Sequence, residues 1–342
     1  MTSTVVPARS RVGWLLPVGP GRVATWQLAV LAVLAGGLRI TPWTIAVAAL
    51  AVLLVAVTSV RVRGLCGYQW AAVLAQYVIR RRRPRPPTPL HALAPTLRVH
   101  PHEDRVGNRT GVATLDGDHI AVVRLAPTAH PDPAVLVSVL HKAIDREDYP
   151  VSGARLVVLA IPASPYPVRM HWLAVRYHAA AAPWAALARG GGEPGCHKAV
   201  ASAAQRLAGD LSGTVLAAPE LWQDLHVALG VSPDAGAPRA VEAWHHWSAG
   251  PVRQACFTPR DPADAVPLLG RCVPAATFTC TTYSITRPLP SGPTRVMATV
   301  RLGVSSQQFW LTPERVAAKL GVRLLPADGR QAQSTLATLP LA

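Results

Sequence analysis

The sequence predicts an α/β, or α+β, cytoplasmic domain preceded by a two-helix transmembrane hairpin. Three observations predict it. Two long apolar runs near the start of the 342-residue chain carry no charge. Arginines crowd the outer flanks of those runs. From about residue 93 onward, strand-like and helix-like segments alternate. Four regions follow: a basic N-terminus (1–22), the hairpin (23–60, with helices over about 23–40 and 42–60), a juxtamembrane segment (61–92) and the globular domain (93–342).

Length justifies the hairpin. Pro42–Val60 is uncharged over 19 residues. At about 1.5 Å per residue it spans about 28 Å, close to the hydrocarbon thickness of about 30 Å. Val23–Leu38 is shorter and reaches span length through Ile40 if Arg39 snorkels to the interface. Gly36-Gly37 and Pro42 punctuate the connection, so the helices are expected to be antiparallel neighbours. Trp26 and Trp43 fall near the interfaces, where amphipathic rings are favoured. A cleaved signal peptide is a competing reading of the first run, but no A-x-A pattern follows it cleanly.

Charge sets the orientation. Arg9, Arg11 and Arg22 precede the hairpin, and Arg61, Arg63, Arg80, Arg81, Arg82, Arg83 and Arg85 follow it. Only Arg39 lies in the connection. The positive-inside rule therefore places both termini and the main domain in the cytoplasm, with the chain a multi-pass protein of the cell membrane. Residues 1–85 hold eleven arginines and no acidic residue, so only +5 of the net +16 belongs to the rest of the chain. A nucleic-acid binder concentrates its charge on the folded domain. Here the excess sits beside the bilayer, where it suits anionic lipid headgroups.

The segment Gly64–Ile79 reads as a short helix with Gln69 and Gln76 on a narrow polar stripe. Arg61, Arg63, Tyr68, Trp70, Arg80, Arg81, Arg82 and Arg83 are its candidate membrane-interface residues. A helix that merely caps the globular domain is the alternative. Pro84, Pro86, Pro87 and Pro89 then enforce a stiff linker.

In the globular domain, His119–Leu125 has a strand pattern, and Pro133–Arg146 repeats apolar residues at helical spacing behind an Asp132-Pro133 start. Ala154–Ile161 is apolar apart from Arg155, as in a buried strand. Together they suggest a βαβ unit. Helices are expected over His197–Leu211, Pro219–Leu229 and Thr312–Leu320. Strands are expected over Val252–Thr258, Thr277–Thr286 and Arg295–Val300. Gly190-Gly191-Gly192 and Ser232–Pro238 read as loops. No internal repeat is visible.

The search for chemistry yields no catalytic, cofactor or metal residue. There is no GxxxxGK[ST], HExxH or GxSxG sequence, and none of Lys142, Lys198 and Lys319 follows a P-loop. Gly190, Gly192 and Gly195 match GxGxxG by letter, but an alanine-rich helix-like stretch precedes them where a dinucleotide site needs a strand. Asp116-Gly117-Asp118 offers two readings. D-x-D can hold a divalent ion and a nucleotide sugar, which would suit a membrane-anchored glycosyltransferase-like enzyme. Asp-Gly between strands is also a strong hairpin-turn signal, and that reading is preferred. His245-His246 point in different directions, so one metal does not readily take both. The five cysteines contain no CxxC and read as small buried hydrophobes.

The layout resembles the EccE family, membrane subunits of the type VII (ESX) secretion systems of actinobacteria. The resemblance rests on the hairpin with its aromatic, basic sequel (Tyr68-Gln69-Trp70 through Arg80–Arg83), on Val241-Glu242-Ala243-Trp244-His245-His246-Trp247, and on the run from Gly321 to Gln331 closing with Ala337-Thr338-Leu339-Pro340-Leu341. The last is similar to G-x-x-L-x-x-L-D-G-x-Q followed by A-T-x-P, with Ala327 in place of the common Leu and Arg330 where an acid is frequent. Trp244, Trp247, Gly321, Leu324, Asp328, Gly329, Gln331 and Pro340 are the motif residues. The excess of 31 arginines over three lysines fits a high-GC bacterial genome. The resemblance implies a non-catalytic scaffold subunit beside EccB-, EccC- and EccD-like partners, without a cofactor of its own.

Overall fold

The computed structural model describes residues 26–27, 30–31, 34, 41–59, 61–62, 65–82, 88–126, 131–145, 151–231, 240–287, 292–308 and 310–341. The chain divides into two compact units, Met1–Val78 and Ile79–Ala342.

The first unit holds helix α1 (Pro42–Ser59), a small antiparallel pair of β1 (Arg61–Val62) and β2 (Leu65–Cys66), and most of helix α2 (Gly67–Arg82). On α1 the large apolar side chains Trp43, Ile45, Leu50, Val52 and Leu53 are exposed, as are Val30, Leu31 and Leu34 in the first apolar run. Among the described residues no helix is long and apolar enough to cross a membrane. Most of 23–40 lies outside the described residues, as do Arg63, Arg83 and the Ser232–Pro238 loop. The helix expected over 64–79 is shifted: it starts at Gly67 and runs through Arg82. Arg80, Arg81 and Arg82 thus form its last turn, where cations oppose the negative end of the helix dipole.

The second unit is built on a sheet of twelve strands among the described residues. Its strands are β3 (Arg98–Glu103), β4 (Arg109–Leu115), β5 (Asp118–Leu125), β6 (Gly153–Ile161), β7 (Val168–His178), β8 (Gly213–Val215), β9 (Ala240–Glu242), β10 (Trp247–Ala249), β11 (Val252–Pro259), β12 (Phe278–Thr286), β13 (Arg295–Ser305) and β14 (Leu324–Pro326). The main path is β3-β4-β5-β7-β6-β12-β13-β11-β10-β9, with β8 paired to β5 and β14 to β11. Every pairing is antiparallel. The helices are α3 (Pro89–Leu93), α4 (Pro133–Asp145), α5 (Pro183–Leu187), α6 (Gly192–Leu211), α7 (Ala218–Leu229), α8 (Pro313–Ala317) and α9 (Gln331–Leu336).

The expected βαβ unit exists in split form. β5 and β6 run in the same direction around α4, but β7 lies between them and pairs with both. The sequence signal for β7 is weak because Arg169, His171 and Arg176 interrupt its apolar residues. Other bounds move for local reasons. The helix expected from His197 begins at Gly192, with Glu193 and Pro194 in its first turn, where an acid and a proline are both favoured. The helix expected over Thr312–Leu320 is divided into α8 and a 3₁₀ turn, Ala318–Leu320, closed by Gly321 at φ +71°.

Both faces of the sheet are covered. On one, Leu136, Leu140 and Ile144 of α4 and Val200, Ala204 and Leu207 of α6 pack on Val123, Leu156, Val158 and Val175. On the other, Leu221 and Leu225 of α7, Leu90 and Leu93 of α3, and Leu339 and Leu341 pack on Ile120, Val122, Val157 and Leu159. Alternate residues of one strand thus enter opposite cores, which is why Leu156–Ile161 of β6 reads as an unbroken apolar run.

The Phe278 ring fits only because two neighbours lack side chains. A Cβ on Gly303 would lie 2.4 Å from its Cε1, and one on Gly230 2.6 Å from the same atom. Gly303→Ala is expected to cost about 1–3 kcal/mol in urea unfolding through overpacking. Combining it with Phe278→Leu should return part of that loss. A Gly303→Ala protein of unchanged stability would refute the packing argument.

Candidate assembly site

Arg80 from the end of the first stretch that carries the family resemblance meets the second and third stretches within the second unit. Glu242 closes β9, and Trp247 opposite it opens β10. The Glu242 carboxylate accepts hydrogen bonds from Nε and Nη2 of Arg80, both at 3.1 Å. It also accepts from the backbone N–H of Ala332 at 3.2 Å. That N–H lies in the first turn of α9 and has no partner inside the helix, so Glu242 acts as a capping anion supplied from another part of the chain.

Around this pair the C-terminal run is threaded through backbone bonds. Arg80 donates to the Gly329 carbonyl, and the Gly329 N–H donates to the Trp244 carbonyl at 2.8 Å. His245 Nδ1 lies 2.9 Å from Oδ1 of Asp328, whose side chain is buried. The wholly buried Gln331 accepts from the Cys256 N–H at 2.9 Å through its side-chain oxygen, while Ala327 N–H donates to the Cys256 carbonyl. β14 pairs with β11 through Phe257 and Pro326, and Gln331 continues that edge by standing in for a strand carbonyl. Gly329, at φ +69°, makes the turn that allows it.

The other motif residues serve the same docking. Leu324 opens β14 opposite Pro259, and Gly321 ends the preceding turn. Trp247 is buried in the core, whereas Trp244 is half-buried. Pro340 lies between Leu339 and Leu341, whose carbonyls both accept from Nη1 of the buried Arg155. Burial pushes the Arg155 guanidinium down to about 10.

The candidate membrane-interface residues do not behave as a set. Tyr68 is exposed and Trp70 half-buried; Arg81 and Arg82 are exposed, and Arg61 lies in β1. Arg80 instead turns to Glu242, and the pair's side chains are 21% and 13% exposed. No spacing in the sequence signals this partnership across 162 positions. The one available hint was Glu242 itself, the only acid in an otherwise apolar and aromatic stretch.

The D-x-D residues form the hairpin turn between β4 and β5, with Asp116 at φ +51° and Gly117 at +87°. Their carboxylates are engaged separately. Asp116 accepts from Thr96 Oγ1 at 2.8 Å, and Asp118 lies 2.7 Å from His178 Nδ1 and 3.4 Å from Arg176 Nη1. Among the described residues no group of three or more His, Cys, Asp or Glu side chains is arranged to hold a metal ion. Cys66, Cys196, Cys256 and Cys280 are buried and all five cysteines are free thiols.

Sequence reasoning also missed a histidine cluster. The rings of His100 and His119 lie 5.4 and 5.2 Å from that of His197, and Glu193 stands 3.6 Å from His197 Nε2. Burial, followed by the charge of His119, pushes His197 down to about 4. Burial also lowers His119.

Residues 167–258 match the family model described as "Putative type VII ESX secretion system translocon, EccE". This stretch is thus similar to the EccE family. The matched residues run from β7 to β11 and include Glu242, Trp244 and Trp247 but neither Arg80 nor the C-terminal run. No curated protein matches the chain.

Two outcomes test the geometry of this domain. Glu242→Ala strands Arg80 and the Ala332 N–H together, and is expected to cost about 2–3 kcal/mol in chemical denaturation. A double-mutant cycle with Arg80→Ala should show coupling of about 1 kcal/mol or more; additive losses would mean the pair is incidental. The histidines set a pH dependence. An imidazole with a lowered folded-state pKa protonates first in the unfolded chain, so its stabilising effect is complete above about pH 6.5 and is lost as pH falls toward about 4. Stability measured across that window should fall with acid in the parent and fall less steeply in His197→Leu. Equal slopes would discount the cluster.

Proposed function

We propose that this chain is a non-catalytic scaffold subunit of a type VII secretion complex. In this reading the hairpin over 23–60 is membrane-embedded, the basic N-terminus and the domain from 93 onward are cytoplasmic, and Arg81 and Arg82 face anionic headgroups. The single observation that carries the proposal is the convergence of the family-motif residues. Asp328, Gly329, Gln331 and the Trp244 backbone spend their polar groups on holding the C-terminal run against the sheet beside Arg80 and Glu242. Such residues build a surface; none forms a nucleophile, base and orienter set. The uncharged apolar side chains exposed along α1 support the membrane assignment, since water-exposed patches of that kind are costly. Confinement to a bilayer would raise the effective concentration of neighbouring subunits, which is how a scaffold without chemistry contributes to assembly.

The test is co-purification from the native host. A tagged copy, extracted in mild detergent from the membrane fraction, is expected to bring down EccB-, EccC- and EccD-like subunits in one large assembly. Recovery of the chain from the soluble fraction, or as a free monomer while those subunits are present and intact, would overturn the proposal.

A further inference from the structure

A cleft of about 530 Å³ opens between the β3–β4 turn, the α5–α6 connection and one side of α6. It lies within the second unit, and neither the family match nor the motif residues account for its lining.

Its electrostatics are unbalanced in a specific way. Asp104 and Glu103 line it but are already committed. Asp104 accepts from the backbone N–H groups of Val106 and Asn108 and from the side chains of Asn108 and Gln205. Glu103 lies 3.4 Å from Arg109 Nε. The cations are uncommitted. Arg105 and Lys198 have no carboxylate partner among the described residues, and the Arg189 guanidinium donates to the Ala185 carbonyl. Three positive side chains thus face one concavity against two carboxylates, of which Glu103 is paired with Arg109 outside the lining, so the wall keeps a net positive charge.

The rim of the cleft is apolar. Trp184 and Leu187, on the five-residue helix α5, are 79% and 59% exposed, and Val106 on the opposite turn is 86% exposed. Trp184 lies one helical turn before the lining residue Ala188, whose N–H donates to the Trp184 carbonyl, and Leu187 immediately precedes Ala188. A Cβ on Gly191 would lie 3.7 Å from Leu187 Cδ2, and one on Gly190 3.9 Å from Lys198 Nζ, so apolar and cationic groups flank the same glycine loop. A wide-open tryptophan beside unpaired cations is the composition of a protein-recognition hot spot.

We propose that this cleft docks an acidic segment of a partner protein that carries at least one large apolar side chain. The acids pair with Arg105, Arg189 and Lys198, and the apolar residue packs on Trp184 and Leu187. A bare phosphate or lipid headgroup would use the cations but leave the exposed Trp184–Leu187 rim uncovered. The inference deepens the scaffold reading by naming the chemistry of one docked partner, and it rests on that reading for the partner being another subunit or a cargo.

The experiment uses the full-length chain in detergent and a short fluorescein-labelled peptide of Glu, Asp and Leu, read by anisotropy. Saturable binding is expected. Arg105→Glu with Lys198→Glu, two exposed positions, should weaken it by about tenfold or more, and Trp184→Ala by about fivefold. A matched peptide with Lys replacing the acids should not bind. Unchanged binding by the double variant, equal binding of the lysine peptide, or displacement of the acidic peptide by an equal concentration of glycerol phosphate would each overturn the proposal. The assay contains no secretion subunit, so its failure is separable from a failure of co-purification.

Discussion

Burial of the sheet on both faces is the constraint on which the rest of this structure depends. Once α4 and α6 cover one face and α7, α3 and the C-terminal run cover the other, the residues at the centre of the sheet cannot turn to water for a missing hydrogen bond. The two fully enclosed arginines show how the fold responds. Arg301, on β13, donates to the carbonyls of Ala228 and Leu229 and to Gln254, and stacks over Phe278. Those carbonyls end α7, so the cation sits at the negative pole of a helix dipole. Arg155 holds the carbonyls of Leu339 and Leu341 by the same logic. Neither has a carboxylate partner among the described residues. In each case a buried cation is stabilised by orphan carbonyls that would themselves be costly to leave unpaired.

The C-terminal run is drawn in by this arrangement. Its apolar residues complete a core, its carbonyls satisfy Arg155, and Gln331 completes the edge of β11. Glu242 then caps α9 and fixes Arg80. The motif that looks like a surface signature in the sequence is therefore a set of internal fasteners. Substituting any one of them would disturb the surface they support before it disturbed any contact with a partner.

Much of the fold was legible for reasons of period. α4 and α7 were readable because their apolar residues recur at helical spacing behind proline starts, β6 because a doubly covered strand is apolar almost throughout, and β12 because its threonines, Tyr283 and Ile285 favour extended backbone. The antiparallel order was not readable. Continuous apolar runs report burial on both faces, which parallel and antiparallel strands share here, and β7 was hidden by its charged residues. In the candidate site, Asp116-Gly117 was legible as a turn because local backbone preference decides it. The Arg80–Glu242 pair and the histidine cluster depend on residues brought together from distant positions, and no spacing rule encodes that.

The chain's positive charge has three distinct fates, and they separate structure from recognition. Arg155 and Arg301 are buried and bonded to backbone carbonyls. Arg80 and Arg124 are paired with Glu242 and Asp224, the latter also held by Trp172 Nε1. Arg105 and Lys198 face a cleft whose acids have been used up by their own turn. The first two groups are explained by the fold alone, because removing them would leave buried partners unsatisfied. The third contributes nothing to the fold that water would not supply, and it keeps like charges close together at a small electrostatic cost. A cost of that kind, set beside an exposed tryptophan, is what distinguishes a surface arranged for something outside the molecule from one that merely keeps it in solution.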